Sequence, residues 1–327
     1  MLVNLNDVLK KAQTEHYAVG LFNTVDTDTA QAVIEAAEEM HAPVIIGTAE
    51  ILLPYGELSL ISPSLLDLAK HANVPVVLHY DHGLTFDRCM EALRLGYSSI
   101  MYDGSLGDPD QNIKDTAQIV KIAHAFGASV EGEIGHVGQA AVGDGCYTTV
   151  EEAVDFASRT GVDALAVAIG TAHGNYKTKP VLDIDRLRAI RAALNVPLVL
   201  HGGSGLSEEQ FRATVENGIA KVNIFTELCN VGQAAFVKAT NDGLDYLEAR
   251  NAKVKRHQGN RQKENVFVRL CRQSIKRLTK KRWKYETLTN QCRAQRTGSH
   301  VREISLLPAS LLPFHTGRLA NERSRVR

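Results

Sequence analysis

The 327-residue sequence has few cysteines and few aromatic residues: five Cys, one Trp and 6% Phe, Trp and Tyr together. Cys89, Cys146, Cys229, Cys271 and Cys292 are odd in number, scattered and without a CxxC pair. This argues against a disulfide framework and a thiolate zinc knuckle, and reads as free thiols in a reducing compartment. No apolar run approaches the roughly 18 residues of a membrane span. The opening residues MLVNLNDVLKKAQ carry charges where a secretory signal needs an apolar stretch, so a cytoplasmic, non-membrane protein is expected.

An excess of either charge is also missing, since 37 Lys+Arg balance 37 Asp+Glu. The balance hides two unlike segments. Residues 1–250 hold 17 Lys+Arg against 33 Asp+Glu, a net of −16, and residues 251–327 hold 20 against 4, a net of +16. An acidic body argues against a nucleic-acid-binding role for the main domain.

With 44% hydrophobic content the chain can bury a large core. Up to about residue 250, short β-branched runs alternate with amphipathic segments, as in βα units around a parallel sheet. Eight strands are predicted: 17–23, 44–48, 76–82, 98–103, 129–134, 164–170, 198–201 and 221–225. Pro43, Pro75 and Pro197 each precede a strand, where a missing N–H costs little. DTDTAQAVIEAAEEM and TVEEAVDFASRTG have polar starts and acidic first turns, and Gly96, Gly127, Gly161 and Gly218 sit where helices should stop. Eight units favour an α/β fold of the (β/α)8 TIM-barrel class, whose active sites collect at the C-terminal strand ends. The expected organisation is a catalytic barrel over residues 1–255 and a basic extension over residues 256–327.

Polar residues cluster at those ends. His79, Asp81 and His82 end the third strand and Asp103 the fourth, while Glu131 and Glu133 lie on the fifth. His173 follows the sixth, His201 ends the seventh, and Asn223 with Thr226 closes the eighth. A histidine at one strand end is ordinarily structural, whereas three beside Gly-rich turns suggest a metal site. His79 and His136 are read as structural. Gly202, Gly203, Ser204 and Gly205 form a turn before the helix SEEQFRATVENG, a place that favours an anion.

The segments HYDHG (79–83), AIGTAHGNY (168–176), LHGGSG (200–205) and KVNIFTE (221–227) resemble the signature segments of class II ketose-bisphosphate aldolases, tagatose-bisphosphate aldolases most of all. The resemblance runs in order from about residue 5 to about residue 250. It implies reversible aldol cleavage of a ketose 1-phosphate or 1,6-bisphosphate to dihydroxyacetone phosphate and an aldehyde. It also implies a catalytic Zn2+ on His82, His173 and His201, and three imidazoles do leave the open position that catalytic zinc requires. Asp81 matches the family's acid/base aspartate, its other reading being a partner that orients a histidine. Asp103 and Glu133 match an alternate metal position, and each reads equally well as a barrel carboxylate. Gly174, Lys177, Gly202, Gly203, Ser204, Asn223 and Thr226 become neighbours of the donor phosphate, although Lys177 is also readable as a solvated lysine. Backbone carbonyls near Gly174 and Gly202 become candidates for a monovalent cation, Na+ or K+. A homo-oligomer, dimer or tetramer, is expected.

Three features depart from the family. After GEIGHVG the loop QAAVGDGCYT lacks the usual paired acidic residues, so Asp144 is the only carboxylate there and the base that deprotonates the donor is unassigned. Leu244, in DGLDYL, stands where the family has an arginine that holds a second phosphate. The basic extension replaces an amphipathic final helix. The rival readings are a metal-dependent sugar-phosphate epimerase or isomerase, a non-catalytic subunit of an aldolase complex, and a nucleic-acid-binding protein led by Trp283, Tyr285 and the surrounding Lys/Arg. A zinc amidohydrolase would need a His-x-His on the first strand, which reads GLFN.

Overall fold

The computed structural model describes residues 1–140 and 145–258. Asp144, and everything expected of the chain beyond residue 258, lie outside the described residues. Eight parallel strands close into a ring: β2 (Val19–Asn23), β3 (Val44–Ala49), β4 (Val76–Gly83), β5 (Ser99–Tyr102), β6 (Ser129–Ile134), β7 (Ala164–Val167), β8 (Leu198–Leu200) and β9 (Ile219–Ile224). Each pairs with the next, and β9 returns to β2. A two-residue strand, β1 (Leu2–Val3), adds to the start of β4. One helix follows each barrel strand: α2 (Thr27–Met40), α3 (Leu58–His71), α4 (Phe86–Arg94), α5 (Pro109–Ala125), α6 (Val150–Thr160), α7 (Ile184–Ala193), α8 (Glu208–Glu216) and α9 (Thr226–Asn241). The predicted (β/α)8 barrel is the observed fold.

Local sequence accounts for these boundaries. Asp26, Thr85 and Asp108 cap α2, α4 and α5 through their side chains, and Thr149 with Glu152 and Ser207 with Gln210 form capping boxes on α6 and α8. Gly161 ends α6 in the left-handed region at φ 70°, which glycine adopts without the Cβ penalty. Pro75 and Pro197 lack an N–H, but their carbonyls accept the N–H groups of Val44 and Leu165 on neighbouring strands, both at 3.0 Å. Four predicted strands, 17–23, 98–103, 164–170 and 198–201, are shorter than expected, and the first and third of them have a visible cause. The Tyr17 N–H closes the preceding helix on Ala12. Ala168 bonds to Thr148 in the loop before α6 instead of to a strand, so β7 ends at Val167.

The floor of the barrel is apolar. Helix α1 (Leu5–Glu15) buries Leu5, Val8, Leu9 and Ala12 together with Val19, Leu21, Ile45, Val77, Ala166 and Val199. Each such large side chain contributes about 1.5–3 kcal/mol relative to exposure. Helix α10 (Tyr246–Gln258) packs beside α9 and α2. Its Arg250 forms a two-pronged ion pair with Asp28, and Lys253 Nζ lies 2.8 Å from Asp26 Oδ2. Because the ring and this clamp are complete by Gln258, deletion of residues 259–327 is expected to leave the barrel's cooperative thermal transition in place. Circular dichroism melting of the truncated chain checks this, and loss of the transition refutes it.

Candidate metal centre and active site

Alternation along the strands decides which side chains enter the barrel. Asn23 on β2, His79 and Asp81 on β4, Glu131 and Glu133 on β6, and Lys221 and Asn223 on β9 all project inward above the apolar floor, as does His201 just past β8. All of these are buried.

Simple alternation would send His82 to the opposite face from Asp81. The chain avoids this with an irregularity in the β4–β5 pairing between Tyr80 and Gly83, where His82 takes φ 47° in the left-handed region. This conformation costs a residue with a Cβ about 1–3 kcal/mol, which the surrounding packing must hold. The kink turns His82 back toward the barrel axis beside Asp81.

His82, His173 and His201 converge as a result. Their ring centroids lie 5.1 Å (82 to 173), 4.6 Å (82 to 201) and 5.9 Å (173 to 201) apart. One nitrogen from each ring falls within 4.8 Å of the others. His173 lies beyond the end of β7, in a loop rather than a strand. The loop after β6 fixes its backbone: the His173 N–H donates to Gly138 O at 2.8 Å, and the Ala140 N–H donates to His173 O at 2.9 Å.

Carboxylates surround the histidines. His82 Nδ1 meets Asp103 Oδ2 at 2.7 Å, and the same nitrogen lies 4.0 Å from Glu133 Oε2. Glu133 Oε2 is also 3.5 Å from His201 Nδ1, yet it is buried without a hydrogen-bond partner. Asp81 accepts hydrogen bonds from Asn23 Nδ2 at 2.8 Å and from Asn223 Nδ2 at 3.1 Å.

The electrostatics follow from this crowding. Burial would raise the Asp81 carboxyl, but His82, His79 and Lys221 hold it well below the usual carboxylate range. Burial, with Asp103 adding to it, pushes Glu133 up to about 8. Burial disfavours charge on His82, and the neighbouring Asp81, Asp103 and Glu133 nonetheless raise it to about 10. His173, desolvated and facing the other two rings, falls to about 3. Asp81, Asp103, Glu131 and Glu133 crowd the histidines, with Lys221 the one fully buried lysine among the described residues, and carboxylates gathered in this number suit an added cation. Three converging imidazole nitrogens and an orphaned carboxylate oxygen are suitable ligands for a divalent ion.

The Gly202–Gly205 turn lies against the same centre. Gly202 has φ 68°, and a Cβ there would come within 2.4 Å of Ala172 O, so only glycine lets the His173 and His201 segments approach this closely. Tyr176 Oη ties them together, accepting the Ala172 N–H at 2.7 Å and donating to Gly202 O at 2.8 Å.

The turn differs in one respect from the anion cradle expected before α8. The Gly203 N–H donates to Asn223 O at 3.1 Å, and α8 is capped by its own Ser207. The helix start that abuts the turn is that of α9, where Ser204 Oγ accepts the N–H groups of Phe225 and Glu227 at 3.3 and 3.2 Å. Lys177 is exposed and lines a cavity of about 590 Å³ with Lys179, Ser204, Gly205, Ser207 and Asn230. Gly174, at φ 92°, follows His173 directly, and Thr226 begins α9. Asn223 instead has its amide engaged on Asp81.

Asn23 and Lys221 escape the sequence reading, and Glu131 is read there only as a polar strand residue. Each stands at an inward position of a strand, and Lys221 puts a charge into the buried strand IAKVNI, which is the available signal. His79, read as structural, does face Asp81: its Nε2 lies 3.6 Å from Asp81 Oδ1 and its Nδ1 2.7 Å from Ser99 Oγ.

Residues 3–290 match the family model described as fructose-bisphosphate aldolase class-II. A 6-phospho-5-dehydro-2-deoxy-D-gluconate aldolase of Halalkalibacterium halodurans is 40% identical over 232 residues, 69% of this chain and 81% of that protein. A fructose-bisphosphate aldolase of Geobacillus stearothermophilus is 39% identical over 250 residues, 74% and 86% of the two chains. Among solved structures, the YdjI aldolase of Escherichia coli K12 superposes with a TM-score of 0.74 at 33% identity, covering 85% of this chain and 97% of that one. With a barrel mouth that gathers three histidines beside a charged, buried aspartate, and with sequence likeness over most of its length, this chain belongs to the class II fructose-bisphosphate aldolase family and is an aldolase, a carbon–carbon lyase.

Proposed function

We propose that the chain is a zinc-dependent aldolase that cleaves a ketose 1-phosphate to dihydroxyacetone phosphate and an aldehyde, without a strict need for a second phosphate. The observation that carries the metal reading is the convergence of His82, His173 and His201 beside Asp81. When bound, a zinc ion there polarises the donor's carbonyl and stabilises the negative charge that develops on proton loss. Asp81, held charged and aimed by Asn23 and Asn223, exchanges a proton with the oxygen that becomes the aldehyde carbonyl. Asp103 and Glu133 offer a deeper alternative set of ligands with His82. The donor phosphate takes Gly174, Gly202, Gly203, Ser204, Thr226 and Lys177, with Asn223 bordering it, and carbonyls near Gly174 and Gly202 take a monovalent cation. A cytoplasmic homo-oligomer completes the reading.

Leu244 stands where the family's arginine is expected, and the nearby Arg250 and Lys253 are engaged by Asp28 and Asp26. A charge-assisted bidentate contact contributes about 1.5–3 kcal/mol, roughly 10- to 100-fold in kcat/KM. A 1,6-bisphosphate is therefore expected to lead its 1-phosphate analogue by well under about 1,000-fold. The test is a cleavage assay over ketose 1-phosphates and 1,6-bisphosphates, before and after exhaustive chelation, with zinc content measured alongside. Full activity without metal refutes the zinc reading, and a larger bisphosphate preference refutes the substrate reading.

A further inference from the structure

A second group of metal-ligating side chains lies directly beneath the three histidines. His79, Asp81 and Glu131 are all buried, with one ligand atom from each within 4.8 Å of the others. This group already has a positive charge. Lys221, the only fully buried lysine among the described residues, places Nζ 2.7 Å from Glu131 Oε2. Lysine is almost never fully buried unless it is paired, because desolvating the ammonium costs several kcal/mol.

The other oxygen of Glu131 reaches the upper centre. Glu131 Oε1 lies 2.9 Å from His201 Nε2. With one carboxylate oxygen held by the Lys221 ammonium, the other is placed to accept from His201. Nε2 of His201 thus faces a carboxylate oxygen, with Asn223 Nδ2 3.3 Å from it, and the opposite nitrogen Nδ1 lies on the side of His82 Nε2, 2.9 Å away. An ammonium, a carboxylate and an imidazole thus run in one line toward the three-histidine centre.

We propose that Lys221 is a positioning residue: through Glu131 it fixes His201 with Nδ1 free for a metal ion, and as an internal cation it fills the His79, Asp81 and Glu131 group, so that the barrel holds one divalent ion and not two. The proposal rests on the three-histidine reading above.

The test compares zinc stoichiometry by elemental analysis, and zinc Kd by competition with a chromophoric chelator, in the full-length wild type, Lys221→Met, Glu131→Gln and the double variant. Wild type is expected to hold one zinc per chain. Each single variant should bind zinc about 10- to 100-fold more weakly, the usual cost of losing a partner that orients a ligand. The double variant should bind no more weakly than Glu131→Gln alone, because the lysine acts only through that carboxylate. If Lys221→Met fails to fold around its unpaired Glu131, the double variant, which removes both charges, still decides the matter against Glu131→Gln. Wild-type Kd in Lys221→Met, additive losses in the double variant, or a second zinc in the wild type would overturn the proposal. A wild type with no affinity for zinc would overturn the metal reading and this proposal together.

Discussion

His173→Ala is expected to lose zinc and turnover together while the barrel stays folded. The imidazole supplies one of three converging nitrogens, but the backbone around it is fixed by hydrogen bonds to Gly138 and Ala140 that do not involve the side chain. Sharing the roughly 10–16 kcal/mol of a zinc site among about four ligands makes one of them worth about 2.5 to 4 kcal/mol, roughly 100- to 1,000-fold in affinity. Retained zinc at one ion per chain in the purified variant, with an unchanged thermal transition, would show that His173 is not a ligand. The partly buried position of this ring, in a loop beside the fully buried His201, makes this the substitution least entangled with folding.

Asp81→Ala separates binding from chemistry. The variant should keep its zinc and much of its donor affinity while kcat falls about 100-fold or more, as when a general acid/base is removed. The geometry favours this outcome over loss of metal. Asp81 takes its hydrogen bonds from Asn23 and Asn223 and lies beside His79, so the residue that directly steadies a proposed ligand is Asp103 on His82 and Glu131 on His201. Zinc content and steady-state kinetics on the same preparation decide. A variant stripped of metal would make Asp81 an orienting group.

The barrel was legible because its repeat is physical. Proline before a strand, a capped acidic helix start and a glycine stop recur, and the strands read as apolar runs buried on both faces. What alternation could not reveal was how neighbouring residues share a site. Asp81 and His82 are adjacent, and a regular strand would set them on opposite faces; only the φ 47° kink brings both inward. Four short motifs nonetheless contain Asp81, His82, His173 and His201, which the fold brings together, because sequence resemblance carries such an irregularity without explaining it. Lys221 and Glu131 were passed over for the opposite reason. They sit 90 residues apart on strands that are not neighbours, and nothing local signals that each neutralises the other. The sequence sets the Gly202–Gly205 turn before α8 because α8 follows it in the chain, whereas closure of the ring also puts Ser204 against the start of α9.

The left-handed backbone at His82 bears on how this protein can be improved. At that position glycine relaxes the chain by about 1 kcal/mol or more, and asparagine also tolerates the conformation. Neither carries an imidazole. A selection that rewards only resistance to heat or protease is therefore expected to drift toward replacing His82, and its most robust winners to lose the proposed metal centre. Thermostable variants of this aldolase should be sought with residue 82 held constant, drawing their gains from surface helices far from the kink.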